Sequence, residues 1–96
     1  MKTTKGKLKH GLKIGDKLHK DFEMREATAG DMFEAEKDAG VETPLAFSGA
    51  MMAYQLDKVG DFEGPITFAM IGKLSPADYN ILREAQLGLE SEGKPE

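Results

Sequence analysis

The feature that most limits what this chain can become is a stretch of alternation between residues 7 and 25. Leu8, His10, Leu12 and Ile14 fall on one side of an extended segment and Lys7, Lys9 and Lys13 on the other, the period of two that marks a half-buried strand. Leu18, Lys20, Phe22 and Met24 alternate in the same way with His19, Asp21, Glu23 and Arg25, and Gly15-Asp16-Lys17 between the runs is turn material. The pattern predicts a β-hairpin. Both apolar sets are even-numbered, so their faces coincide when paired residue numbers sum to an even value: Leu8 with Met24, Ile14 with Leu18, and Lys9 opposite Glu23 on the wet face. That register requires a loop of odd length.

A lone two-stranded sheet cannot hide its apolar face, so the rest of the chain has to cover it. Downstream the period changes to that of helices. Thr28 with Asp31 three residues on opens a first helix whose inward side is Met32, Ala35 and Ala39, and Gly40 stops it. Thr43-Pro44 opens a second that runs to about Val59 and Gly60. Pro65 starts a short third helix, Ile66 to Gly72, and Ser75-Pro76-Ala77-Asp78 caps a fourth carrying Tyr79, Leu82, Gln86 and Leu89. The predicted fold class is α+β: an N-terminal β-hairpin followed by three to four short helices packed on one face. Residues 1–90 form this single domain, and 91–96 read as a disordered polar tail.

Composition excludes several functions. A chain of 96 residues with 40% hydrophobic content makes one domain, and the absence of cysteine removes disulfides and thiolate metal sites. No run approaches the roughly 20 apolar residues of a membrane span, and no apolar stretch follows the basic start, so the reading is cytoplasmic with no membrane partner. The candidate chemistry is equally sparse. His10 and His19 have opposite parity, which places His10 beside Phe22 and His19 in solvent and gives no metal site. Asp57, Asp61, Glu63 and Gly64 miss the calcium-loop spacing, Ser48-Gly49 lacks a nucleophile elbow, and Gly6, Gly11 and Gly15 form no phosphate loop. Asp31, Glu34 and Glu36 read as solvent-facing carboxylates of an acidic helix. No catalytic, metal or cofactor-binding residue is assigned, no cofactor is implied, and the chain does not read as an enzyme.

Two features point instead to surface contact. Residues 1 to 20 carry seven lysines against one aspartate, a net +6, which leaves −10 for the other 76 residues. Lys7, Lys9 and Lys13 form an electrostatic face that supports one reading, a small nucleic-acid-associated regulator, although the face lacks stacking aromatics and the acidic remainder repels phosphate. The second feature is the second helix, where Leu45, Met52, Leu56 and Val59 make one apolar stripe and Phe47, Met51 and Tyr54 another. Either this helix is central and wrapped by the others, or Phe47, Met51, Met52 and Tyr54 offer a partner-binding surface.

The basic opening strand, the segment Phe22-Glu23-Met24-Arg25-Glu26-Ala27-Thr28-Ala29-Gly30-Asp31 and the later Leu74-Ser75-Pro76-Ala77-Asp78-Tyr79 together resemble the tail assembly chaperones of Mu-like and P2-like phages and prophages. The resemblance is one of layout and covers about residues 8 to 89. It implies a non-enzymatic cytoplasmic protein that binds the tape measure protein, keeps it soluble until the tail tube forms, and is absent from the finished virion. It also implies a second, longer form of the same protein made by ribosomal frameshifting.

Overall fold

The alternation at the N-terminus does form a hairpin, β1 at Thr3–Ile14 and β2 at Lys17–Arg25. The computed structural model, which describes residues 2–40 and 42–93, adds a short strand β3 at Leu56–Val59, giving an antiparallel sheet in the order β1-β2-β3. Helices α1 (Ala29–Ala39), α2 (Pro44–Gln55), α3 (Phe68–Ile71) and α4 (Pro76–Gly93) complete an α+β fold. Helices α2 and α4 lie against the sheet, and α1 and α3 pack on α2.

The hairpin register differs from the one expected. Ile14 pairs with Lys17 rather than Leu18, so the loop is only Gly15-Asp16, with Gly15 at φ 63°, the first-position glycine of a tight two-residue hairpin. Next to the turn the paired numbers therefore sum to an odd value, and Leu12 stands opposite His19. Further along, Thr4 stands opposite Met24 and Gly6 opposite Phe22. The switch occurs in a bulge where Leu8 to Gly11 of β1 face Lys20 alone on β2. The physical consequence is an exchange of roles: His19 is buried and Leu18 is 57% exposed, while His10 is exposed and does not pack as a core residue beside Phe22. The cross-strand charge pairing survives in a shifted form, with Lys5, not Lys9, opposite Glu23 at 3.8 Å and Lys7 opposite Asp21 at 4.0 Å.

Strand β3 occupies residues that the apolar spacing assigned to the end of the second helix. Helix α2 stops at Gln55, and Leu56 is already extended at φ −74°, ψ 112°. A bulge at Asp57, between the pairs Glu23–Lys58 and Met24–Leu56, turns both Leu56 and Val59 inward. An inward pair three residues apart is also what a helix would show, so the sequence pattern mimics one. The turn after Val59 depends on Gly60 at φ 59°, where a Cβ would collide with the buried His19 ring.

The helix caps are otherwise kept, although Met32, expected on the inward side of the first helix, is 49% exposed, and Asp31 and Ala35 are the buried residues there. Thr28 and Asp31 form a reciprocal capping box on α1, Gly40 ends it at φ 79°, and Pro44 sits in the first turn of α2. The third helix begins later than expected, with Thr67 as its N-cap. The fourth is the longest element at 18 residues and reaches Gly93, so residues 91–93 of the expected tail are helical and 94–96 lie outside the described residues. The main core joins Leu8, Leu12, Phe22 and Met24 of the hairpin to Met52, Leu56, Val59, Ile66, Leu82 and Leu89. Burying each of its larger side chains contributes about 1.5–3 kcal/mol. A smaller cluster of Ala35, Ala50 and Met51 holds α1 against α2.

One polar contact fastens the long helix to the bulge. Asp78, in the first turn of α4, has 0% relative exposure. Its carboxylate accepts the backbone N–H of Lys9 (2.6 Å), His10 (3.1 and 3.2 Å) and Gly11 (2.9 Å). Burial pushes Asp78 upward, but these three donors outweigh it and hold the carboxyl below the ordinary aspartate value of 3.8. Replacing Asp78 with Ala strands the donors, and the expected loss is about 3 kcal/mol by urea denaturation, with roughly half of that for Asp78→Asn. Because Asp31 is also held below 3.8, chiefly by its hydrogen bond from Arg25, the unfolded chain takes up these two protons first as pH falls. Their stabilisation is complete above about pH 5 and declines below about pH 4. Asp78→Asn should flatten that acid limb relative to the unmodified chain, as followed by denaturation at stepped pH.

Candidate interaction surface

The end of α2 is set in place from the hairpin. Arg25, the last residue of β2, makes a two-pronged ion pair with Asp31, Nη1 to Oδ2 at 2.7 Å and Nη2 to Oδ1 at 3.0 Å. The same guanidinium donates to the Tyr54 carbonyl at 2.8 Å and to the Glu26 carbonyl at 2.9 Å. Asp31 in turn accepts the Thr28 N–H at 2.8 Å, so it is a buried framework residue rather than a solvent-facing carboxylate. The hydrogen bond and charge of Asp31 raise the Arg25 pKa against the cost of its burial. Gln55 extends the network: its amide donates to the Arg25 carbonyl at 3.0 Å and accepts from Gln86 of α4 at 2.7 Å. Arg83 donates to Gln86 at 2.6 Å. Among the described residues every buried side-chain nitrogen and oxygen has a partner.

The four residues expected to offer a partner-binding surface are divided by this arrangement. Met52 has 0% exposure and belongs to the main core, and Met51, at 8%, is sealed between α1 and α2. Phe47 is half-buried beside that second cluster. Helix α2 is therefore central: Met52 serves the main core and Met51 the second cluster, while Leu45 in its first turn is 73% exposed and belongs to neither. Tyr54, also half-buried, borders a groove. Its hydroxyl donates to Asp38 Oδ2 at 2.6 Å, and this bond, with burial and the surrounding acidic charge, pushes the phenol from 10.0 to about 12.

Around Tyr54 run two adjoining depressions of about 460 and 320 Å3 that share Ala53, Tyr54, Pro65 and Ile66. Phe68 extends the apolar wall at one end and Leu56 at the other. Asp38, Asp57 and Glu63 stand along the rim. The result is an apolar groove edged with carboxylates. Sequence reasoning took Asp57 and Glu63 only as a failed calcium loop, and the contribution of Pro65 and Ile66 has no local signal, because it depends on the chain returning past α2 after β3.

The lysine face is less uniform than its composition. Lys7 lies opposite Asp21, and Glu23 sits between Lys5 and Lys58 in the ladder, so the outer sheet face alternates in sign. Lys13 is exposed near the turn, and Lys9 is exposed on the bulge that Asp78 holds. The three do not form one positive surface.

These features define a small α+β domain with a charge-paired sheet face and an acid-rimmed apolar groove, and its described residues contain no group of three or more His, Cys, Asp or Glu able to hold a metal ion. The family model for tail assembly protein gp41 matches residues 8–94, and the chain belongs to that family. It is 34% identical over 91 residues to the probable tail assembly protein gp41 of Escherichia phage Mu, an alignment covering 79% of this chain and 63% of the relative. Identity is again 34% to the probable tail assembly protein FS-gp41 of the same phage, of which 48% is covered by 79% of this chain. The Mu-like prophage FluMu protein gp41 of Haemophilus influenzae is 35% identical over 85 residues, covering 76% of this chain and 67% of the relative. The chain thus spans less than two thirds of the length of the two Mu relatives. No solved structure matches.

The division between core and groove is directly measurable. Met52→Ala should cost about 2–5 kcal/mol through loss of buried contacts and the cavity left behind. Tyr54→Phe, which loses one solvent-accessible hydrogen bond, should cost about 1 kcal/mol or less in the same urea titration.

Proposed function

We propose that this chain is a non-enzymatic tail assembly chaperone of a Mu-like phage or prophage, which binds the tape measure protein and keeps it soluble while the tail tube assembles. Membership of the tail assembly family supports the setting. The observation that carries the binding role is the open groove about Tyr54, whose wall is continuous with the apolar main core. A long helical client exposes apolar stripes until the tube encloses it, and such stripes aggregate unless matched by apolar surface. Tyr54, Pro65 and Phe68 supply that surface above the buried Ile66, and the carboxylate rim selects clients with basic flanks. On this reading the protein works in the host cytoplasm, is left out of the finished virion, and acts beside a longer form of itself. The longer FS-gp41 relative of phage Mu, of which this chain covers 48% against 63% of gp41, accords with such a form.

Co-expression with the tape measure protein, followed by size-exclusion chromatography at low and high salt, tests the proposal. A client that is insoluble alone should co-elute with this chain, and the complex should persist at high salt because apolar burial dominates it. Tyr54→Ala should weaken the complex at least tenfold without unfolding the chaperone. A client that is soluble alone and never co-elutes would refute the role.

A further inference from the structure

We propose that the open edge of β1, over residues 3–7, takes an acidic extended segment of a partner protein as a fourth strand of the sheet. In the order β1-β2-β3, β1 is an outer strand. Residues of an antiparallel strand alternate between those that bond their neighbour through the backbone and those that turn N–H and C=O away from it. Glu26 N–H donates to the Lys2 carbonyl at 2.9 Å, in the register that continues as Thr3 with Arg25, Lys5 with Glu23 and Lys7 with Asp21. Lys2, Thr4 and Gly6 therefore aim their backbone at β2, and Thr3, Lys5 and Lys7 aim theirs at the open side. Asp21 keeps the same phase: opposite Lys7, its carbonyl accepts Gly60 N–H on the β3 side at 2.6 Å. Among the described residues nothing bonds the backbone of Thr3, Lys5 or Lys7 across that edge. Further along β1 the N–H groups of Lys9, His10 and Gly11 are already taken by Asp78. What stays open is a row of donors and acceptors about 7 Å apart, the template for strand addition.

Side chains set the chemistry of the added strand. β1 contains no acidic residue. Lys5 and Lys7 stand on the outer face with side chains 78% and 71% exposed, held loosely by Glu23 at 3.8 Å and Asp21 at 4.0 Å. An ammonium carries three donors, so each lysine can take a second carboxylate from the open side. Acidic residues opposite Lys5 and Lys7 place each lysine between two carboxylates, a favourable cross-strand arrangement. On the inner face Gly6 leaves a gap that the Phe22 ring enters: a Cβ on Gly6 would lie 2.6 Å from Phe22 Cζ. The residue opposite Gly6 meets that ring, and an apolar side chain suits it. The recognised segment thus alternates acidic and apolar residues. A second copy of β1 does not fit, because it would set lysine against lysine. No residue of the groove about Tyr54 takes part, so the edge is a separate interaction surface from the one in the proposed function.

The probe is the capped peptide acetyl-Glu-Val-Glu-Val-Glu-amide, added to the isotope-labelled full chain and followed by NMR. A contact this short, with exposed charges, gives a dissociation constant on the order of 1 mM. At ten times that concentration, solvent exchange of the Thr3, Lys5 and Lys7 amides should slow about tenfold, with Lys13 near the turn unaffected. Lys5→Pro deletes an N–H that faces away from β2, so circular dichroism should show the fold kept while the affinity falls roughly tenfold or more. Lys5→Glu combined with Lys7→Glu should lose the acidic peptide and gain acetyl-Lys-Val-Lys-Val-Lys-amide; this reversal decides the matter if proline disturbs the hairpin. Methylating the glutamate nitrogens of the acidic peptide keeps its charge, removes its donors and should abolish the slowing. Edge amides whose exchange the acidic peptide leaves unchanged, slowing that the methylated peptide reproduces, or slowing that survives the charge reversal would overturn the proposal.

Discussion

The contact on which the rest of the arrangement depends is that of Asp78 with the β1 bulge. A bulge that places Leu8 to Gly11 against Lys20 alone leaves consecutive N–H groups without ladder partners. A carboxylate at the start of α4 gathers the three at Lys9, His10 and Gly11. Charge-assisted bonds to a buried anion are strong because few other partners are available, and the helix N-terminus favours the same negative charge. This docks α4 across the hairpin, brings Leu82 and Leu89 onto Leu8 and Leu12, and closes the main core. The bulge and the helix are mutually required: without the anion the bulge is unsatisfied, and without the bulge Asp78 would be buried with no donors.

Arg25 plays the corresponding part at the other end of the sheet. One guanidinium ties the last residue of β2 to the first turn of α1 and the last turn of α2. The segments that carry the family resemblance, from Phe22 to Asp31 and from Leu74 to Tyr79, are therefore scaffold rather than working surface. Arg25, Thr28, Asp31 and Asp78 spend their polar atoms on one another and on the backbone. That explains how a chain can match its family in layout while its motifs say little about what it binds. The groove is built from residues outside both segments, Ala53, Tyr54, Pro65 and Ile66.

Legibility in the sequence followed the range of the physics. Local rules were readable: the alternation of the hairpin, the Thr28 to Asp31 capping box, Pro44 in the first turn of α2, and the Leu82, Gln86 and Leu89 face of α4. Long-range compensation was not. Nothing near Lys9 announces that Asp78, nearly seventy residues on, will satisfy a bulge, so parity assigned Leu18 inward and His19 outward, the reverse of what the bulge produces. Met51 and Met52 were readable as apolar but not as buried, because whether a second stripe is surface or core depends on α1 arriving over it with Ala35. Of the candidate surface, Tyr54 was found from its helix and its surroundings were not.

The early end of α2 is what creates the groove. Had the helix run on to Val59, as its apolar spacing suggested, its last turn would have continued through the space beside Tyr54. Two interactions oppose that continuation. Gln55 commits its side chain to the Arg25 carbonyl and to Gln86, fixing the last helical residue between strand and α4. Leu56 then gains a place opposite Met24 on the edge of β2, which would otherwise expose unpaired backbone groups. The chain leaves along the sheet, turns at Gly60, and returns through Pro65 and Ile66 on the far side of Tyr54. A helix-to-strand change with no intervening loop thus covers a vulnerable sheet edge and opens a groove beside it, and the carboxylates of Asp57 and Glu63 fall on the rim because they lie on the strand and on the segment returning after its turn.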